Sequence, residues 1–175
     1  TSLLKVRTWS GMAANTFAGF GGIDDGAFSI RASIYVPNTA NNGVFEAVSV
    51  LKATGNVGIG TTAPTSRLQV LGSVSFTIRT TTTSTTVTST DYTINCNNAA
   101  TAITITLPTP VGITGRIYVI KRDAGSTGAV TILPGAGLIQ SISGAFGANK
   151  TLAALGIYGQ SLTFQSNGTN WHRIN

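Results

Sequence analysis

The chain has 175 residues and carries 11 lysine and arginine residues against 5 aspartate and glutamate residues, a formal net charge of +6. Hydrophobic residues make up 42% of the sequence, enough to build a core, so the composition excludes simple disorder. One cysteine, Cys96, and one histidine, His172, exclude an intrachain disulfide framework and a zinc site made of cysteine and histidine. Because no apolar run approaches the roughly 20 residues that span a bilayer, we expect no membrane insertion.

Apolar and polar residues alternate in many places along the chain, and this period of two is typical of half-buried β-strands. Ile103, Ile105 and Leu107, for example, fall on one side of such a strand, with threonines between them. Residues 150–155 are compatible with one helical turn. Strands are predicted, in chain order, at residues 28–36, 44–51, 102–107, 116–120, 130–133 and 161–165. The sequence therefore predicts an all-β fold.

Two segments of unusual composition divide this pattern. Residues 55–64 (GNVGIGTTAP) contain closely spaced glycines and end in proline. Residues 80–90 are mostly threonine, which favours an opening strand over a flexible linker because threonine is a good strand former. We therefore predict two domains, residues 1–75 and residues 76–175, with a boundary near residues 72–79.

Residues 55–64, followed by RLQV at residues 67–70 and by Gly72, resemble a segment of bacteriophage tail fibres and related trimeric fibre proteins. In those proteins the segment often lies near the distal end of the fibre, commonly upstream of a self-cleaving chaperone domain. The second half is similar to a module found at the ends of phage tail proteins. The features that match are TDYTI at residues 90–94, the strand into Leu107 and Pro108, the strand at residues 115–121, and SNGTNW at residues 166–171.

The resemblance implies a homotrimer with a short, glycine-rich, intertwined shaft-like segment and a C-terminal tip module. Residues 1–75 would form the shaft or neck, with residues 55–64 as its trimerisation segment. Residues 76–175 would form the tip, an antiparallel β-sandwich or a jelly roll. The chain starts at Thr1, so we expect it to be a piece of a longer fibre whose chaperone was cleaved off or never present.

The composition of the glycine-rich segment also suits a trimer on physical grounds. Three chains that wind around one axis need small residues where their backbones come close, and Gly55, Gly58 and Gly60 supply them. Val57 and Ile59 alternate with these glycines and would point to one side of a strand, where they could form a shared apolar seam. The alternative interpretation is a glycine-rich hairpin inside a monomer.

Acidic residues offer little support for catalysis, and we expect neither enzyme activity nor a cofactor or metal. A glycosidase needs two carboxylates that face each other across the scissile bond. Asp24 and Asp25 are adjacent and fit a turn better, and nothing in the sequence pairs them with Glu46 or Asp91.

Other patterns that could support chemistry are also incomplete. Cys96 and His172 could form a nucleophile and a base, but Cys96 fits a buried, inert thiol better. Residues 147–151 lack the glycine that a phosphate-binding loop places before its lysine. Lys121 and Arg122 are the one adjacent basic pair, so we expect no nucleic-acid partner.

Together, these observations predict a structural protein of a virion that serves in adhesion. We expect it to be part of a tail or head fibre and to be extracellular. Its expected partners are two further copies of itself, other fibre or baseplate proteins, and a host cell-surface glycan or protein receptor. A monomeric carbohydrate-binding module of a secreted bacterial protein and a fibre-borne polysaccharide depolymerase are the alternatives. The net positive charge of the chain would either attract it to an anionic bacterial surface or serve only to keep it soluble. The aromatic candidates for stacking on sugar rings are Trp9, Tyr35, Tyr92, Tyr118, Tyr158 and Trp171. Trp171 is expected in the core, and Tyr118 and Tyr158, which lie in strand-like stretches, fit the core equally well.

Overall fold

The computed structural model describes residues 19–24, 30–37, 44–140, 144–148, 150–152 and 160–174. Within these ranges the chain forms strands, turns and bends and no helix, which confirms the predicted all-β fold. The same ranges accordingly contain no helix with the length and hydrophobicity of a membrane span. The chain divides into two compact units, Thr1–Val74 and Ser75–Asn175.

The first unit has one five-stranded sheet, in which strands that follow each other in sequence also lie side by side. The three pairings among the first four strands are antiparallel, whereas the fifth strand runs parallel to the fourth. The predicted strands at residues 28–36 and 44–51 correspond to the second and third strands. The five are β1 (Gly19–Asp24), β2 (Ile30–Pro37), β3 (Val44–Leu51), β4 (Val57–Ile59) and β5 (Leu68–Val70).

The second unit is a sandwich of a seven-stranded and a four-stranded sheet. Its strands are β6 (Ile78–Thr81), β7 (Thr85–Thr86), β8 (Thr93–Cys96), β9 (Ile103–Leu107), β10 (Ile117–Arg122), β11 (Val130–Pro134), β12 (Ile139–Gln140), β13 (Phe146–Gly147), β14 (Lys150–Leu152), β15 (Ser161–Ser166) and β16 (Trp171–Arg173). The larger sheet has the order β13-β12-β16-β15-β10-β8-β6, and the smaller has the order β14-β11-β9-β7. Residues 150–152 are thus a strand, not the start of a helical turn.

Consecutive strands from β6 to β12 alternate between the two sheets. Strands two apart in sequence therefore become neighbours and run in the same direction, as in the pairs β6–β8, β8–β10, β7–β9 and β9–β11. The prediction of an antiparallel sandwich or jelly roll is wrong for this part of the unit. Side-chain alternation gives the same pattern in parallel and antiparallel strands, so it carried no information about direction. Antiparallel pairs occur where β15 lies between β10 and β16.

Side chains from both sheets form one core. The predicted inward face of β9 is confirmed, because Ile105 and Leu107 are fully buried and Ile103 nearly so. Trp171, predicted to pack in the core, is also fully buried, and its indole N–H donates to Pro108 O at 3.1 Å. The other members of this core are Val87, Ile94, Cys96, Tyr118, Ile120, Val130, Ile132, Ile139, Leu162 and Phe164.

The threonine-rich segment opens the second unit as two short strands, β6 and β7, joined by a bend. An ion pair closes this segment, because the Arg79 guanidinium donates from Nε and Nη2 to the two Asp91 carboxylate oxygens, each at 2.9 Å. The backbone N–H and the hydroxyl of Thr88 donate to the same carboxylate. These bonds, above all those from Arg79, lower the pKa of Asp91 from 3.8 to about 2 although burial opposes the shift.

We expect Asp91→Asn to lower the free energy of unfolding by about 2 kcal/mol at pH 7, the equivalent of the pKa shift. The folded-state pKa lies below the unfolded value, so this stabilisation is fully present above pH 4 and is lost as the pH falls towards about 2. Urea unfolding at a fixed protein concentration, repeated from pH 7 to pH 2, measures both effects.

The matched control is Asp123→Asn, which removes the same charge from a turn where the carboxylate accepts the backbone N–H of Ala124. We expect it to change the free energy of unfolding by less than about 0.5 kcal/mol. A difference between wild type and Asp91→Asn that persists unchanged at pH 2 would contradict the role assigned to the ion pair.

Candidate functional site

The glycine-rich segment forms a turn followed by the short strand β4. Gly55 and Gly60 have φ values of +68° and +73°, in the left-handed region where a Cβ is unfavourable. The N–H of Gly55 donates to Leu51 O at 2.7 Å, and the N–H of Gly60 donates to Ala47 O at 3.0 Å. These two glycines therefore shape the entry and exit of β4 against β3.

Gly58 is needed for a close approach within its own chain. A Cβ at this position would lie 2.2 Å from Thr61 O and 2.9 Å from Ser49 Oγ. The Ser49 hydroxyl, which is fully buried, donates to that same carbonyl at 2.7 Å. The small size of Gly58 thus lets the turn after β4 fold back over β3, a contact that the sequence analysis did not foresee.

Val57 and Ile59 lie on the opposite face of β4, where two apolar rows cross β2 to β5. In each row the residues are direct register partners, so their side chains stand on one side of the sheet. The first row is Ala32, Val50, Val57 and Leu68, and the second is Ile34, Val48, Ile59 and Val70. We call these eight residues the apolar face.

None of the eight side chains on the apolar face is buried. Ile34, Ile59 and Leu68 are 38%, 42% and 61% exposed. A third row of register partners lies between these two, and its side chains point to the opposite side of the sheet. It includes Ser33 and Ser49, which are only 4% and 0% exposed. This sheet therefore buries two serines and leaves its apolar side chains exposed or half-buried, the reverse of the usual arrangement.

A second feature lies in the second unit, at the amino ends of three neighbouring parallel strands. The segments before β6, β8 and β10 meet there because parallel strands start at the same edge of a sheet. They line an open cleft of about 470 Å³. We call it the amino-end cleft; its lining includes Phe76, Thr77, Ser89, Asp91, Tyr92 and Arg116.

Phe76 and Tyr92 form a stacked pair in the amino-end cleft, with ring centroids 4.2 Å apart and planes inclined by 19°. Phe76 remains 55% exposed and Tyr92 is half-buried. Tyr92 was among the predicted sugar-stacking residues, but Phe76 was missed. The alternation of Val74, Phe76 and Ile78 just before and into β6 is a signal that could have found it.

The other aromatic candidates lie in different surroundings. Tyr118 is 1% exposed and, like Trp171, belongs to the core; their ring centroids are 5.6 Å apart. Tyr35 is half-buried in β2. Trp9 and Tyr158 lie outside the described residues.

The described side chains do not form a Cys–His catalytic pair. Cys96 is fully buried, and desolvation raises the pKa of its thiol to about 11, so it stays protonated at neutral pH. His172 uses both ring nitrogens elsewhere, with Nε2 at 2.7 Å from Asn167 Nδ2 and Nδ1 at 3.2 Å from Gln140 Oε1. Cys96 and His172 are therefore separate structural residues.

The acidic residues likewise give no facing pair of free carboxylates in the described part of the chain. Asp91 is held by Arg79, Glu46 accepts the hydroxyl of Ser33, and Asp123 lies in a turn. The Asp24 side chain and all of Asp25 lie outside what the structure describes. The described residues also contain no cluster of three or more histidine, cysteine or acidic side chains that could hold a metal ion.

We expect Gly58→Ala to separate the turn at Thr61 from β3 and to lower the free energy of unfolding of the first unit by about 1–3 kcal/mol, the usual cost of overpacking. Hydrogen exchange at the amides of β3 and β4, compared with wild type, measures the local loss. Gly125→Ala is the control, since a Cβ at Gly125 meets no atom within 4 Å. Equal protection in wild type and Gly58→Ala would show that the close approach is not needed.

Comparison of the chain with protein-family models, with curated proteins and with solved structures found no match.

Proposed function

We propose that this chain is the distal part of a viral fibre, a homotrimer that attaches a virion to the surface of its host cell. The observation that supports the proposal most directly is the apolar face, eight unburied side chains in register across β2 to β5. A single sheet needs a second layer to remove its apolar side from water. In the proposed assembly, the apolar faces of the other two copies supply that layer.

The apolar face is continuous across neighbouring strands. Its rows cross four strands, roughly 14 Å at the usual spacing of about 4.8 Å between strands. Contiguous apolar surfaces of this kind on soluble proteins mark sites of association. Val57 of the glycine-rich segment belongs to the first row and Ile59 to the second, so residues that carry the resemblance to trimeric fibres also lie on the face proposed for association.

Assembly into three linked copies also suits adhesion. Weak contacts of a single copy with a surface are multiplied when several copies bind together, which can raise the overall affinity by about 10²–10⁴. The proposal therefore needs no deep, high-affinity site in one chain. A monomeric carbohydrate-binding module, the alternative, would leave the apolar face in water.

We expect the chain to have the solution mass of a trimer by light scattering, and the double variant Ile59→Glu with Leu68→Glu to have that of a monomer. Two carboxylates per copy within a shared apolar layer would be desolvated without partners. The control is Val111→Glu, which adds a charge at a 66% exposed apolar residue of the second unit. A wild-type monomer would overturn the fibre proposal, and a double variant that stays trimeric would remove the apolar face from it.

Adhesion is measured separately, by retention of the fluorescently labelled chain on a panel of bacterial strains. We expect wild type and Val111→Glu to be retained on the same subset of these strains. The double variant should be retained at least about 100-fold less, because it loses multivalency while each copy keeps its own contacts. Equal retention of wild type and the double variant would contradict a trimer-dependent attachment.

A further inference from the structure

We propose that the amino-end cleft binds an anionic pyranose of a host-surface glycan, with Phe76 as the stacking ring and Arg116 as the ligand of the anionic group. This assignment rests on the proposed adhesion function, to which it adds a site and a class of ligand. The cleft volume of about 470 Å³ lies within the usual range for small-molecule sites and is sufficient for one or two sugar rings.

The aromatic side of the cleft is already rigid. Phe76 stacks on Tyr92 through one face of its ring, and more than half of its surface still contacts solvent. The backbone on either side is tied down, because Thr93 N donates to Thr77 O at 3.0 Å and Val119 N donates to Tyr92 O at 2.9 Å. A pyranose that packs its C–H face on Phe76 would therefore meet a surface that loses little conformational freedom on binding.

Arg116 supplies a cation with unused donors. Its guanidinium carries five N–H groups, and Nη2 donates to Ser89 O at 3.1 Å, which fixes one edge of the group. The guanidinium also lies over the Tyr118 ring, 5.8 Å from the centroid. The residue is exposed, so the remaining donors can form paired hydrogen bonds with a carboxylate or a phosphate.

The acid that lines the cleft does not oppose an anion. The Asp91 carboxylate is neutralised by Arg79 at 2.9 Å and also accepts two hydrogen bonds from Thr88. Because the charges of Arg79 and Asp91 cancel, Arg116 gives the cleft a net positive charge. Charge complementarity therefore favours an anionic sugar over a neutral one with the same ring.

The test is isothermal titration of the intact chain with trigalacturonate, with mannose 6-phosphate, and with the methyl ester of trigalacturonate as the neutral ligand. We expect saturable binding of at least one anionic ligand, weakened by added salt, and no binding of the ester. The two anionic ligands distinguish a carboxylate from a phosphate as the group recognised. Failure of both to bind, or equal binding of the ester, would overturn the assignment.

Variants locate the binding. Phe76→Ala and Arg116→Gln should each lower the affinity for the anionic ligand by about tenfold or more. This is the loss expected for a stacked ring and for a charged hydrogen bond. Phe146→Ala and Lys121→Gln are the matched controls, an exposed aromatic and an exposed cation elsewhere in the unit. Unchanged affinity in both cleft variants would overturn the assignment, and thermal melting checks that each variant is folded.

The same variants separate this assignment from the fibre proposal. A trimer that adheres to cells equally well with and without Arg116→Gln would refute the cleft and leave the fibre proposal standing. A monomer that binds the anionic sugar through Phe76 and Arg116 would refute the fibre and support the cleft.

Discussion

The structure of the second unit depends on one constraint, the crossing of the chain from one sheet to the other after nearly every strand. Each crossing lets alternate side chains of consecutive strands, such as Ile94 and Ile105, face each other in one core. It also makes strands two apart parallel neighbours, and so brings their starting points to one edge of the sheet. The amino-end cleft is a direct result, because residues distant in sequence, from Phe76 to Arg116, meet where these strands begin.

The two units differ in how far they bury their apolar side chains. In the second unit the facing sheets bury Phe164 and Trp171 completely. In the first unit the described strands form a single sheet, whose buried row contains Ser33 and Ser49 while the apolar face is open. Since removal of apolar surface from water is the main driving force for association, this difference directs the search for a partner to the first unit. The proposed trimer follows from that difference together with the glycine-rich segment.

The all-β class and strands such as β3, β9 and β15 could be predicted from sequence, because alternating apolar residues show which side of a strand is buried. Ile103, Ile105 and Leu107 followed this rule. The core position of Trp171 was instead predicted from its place after the strand that carries Leu162 and Phe164. Strand direction could not be predicted, since it depends on which sheet each loop leads to. The contact of Gly58 with Thr61 could not be predicted either, because a glycine indicates a close approach but does not identify the group that comes close. Phe76 was missed because its partner, Tyr92, is distant in sequence and lies just before another strand, β8.

The two proposals are connected through affinity. The amino-end cleft offers one exposed aromatic ring and one arginine, so a single copy should hold a sugar only weakly. An isolated monomer with such a site would release a cell surface quickly. Three copies joined through the apolar face would present three such clefts on one assembly, and the loss of one contact would be followed by rebinding while the other two hold. In the proposed trimer, weak, charge-assisted sites would together give firm attachment without a deep pocket, and assembly through Val57 and Ile59 would be as important for adhesion as the residues that bind the glycan.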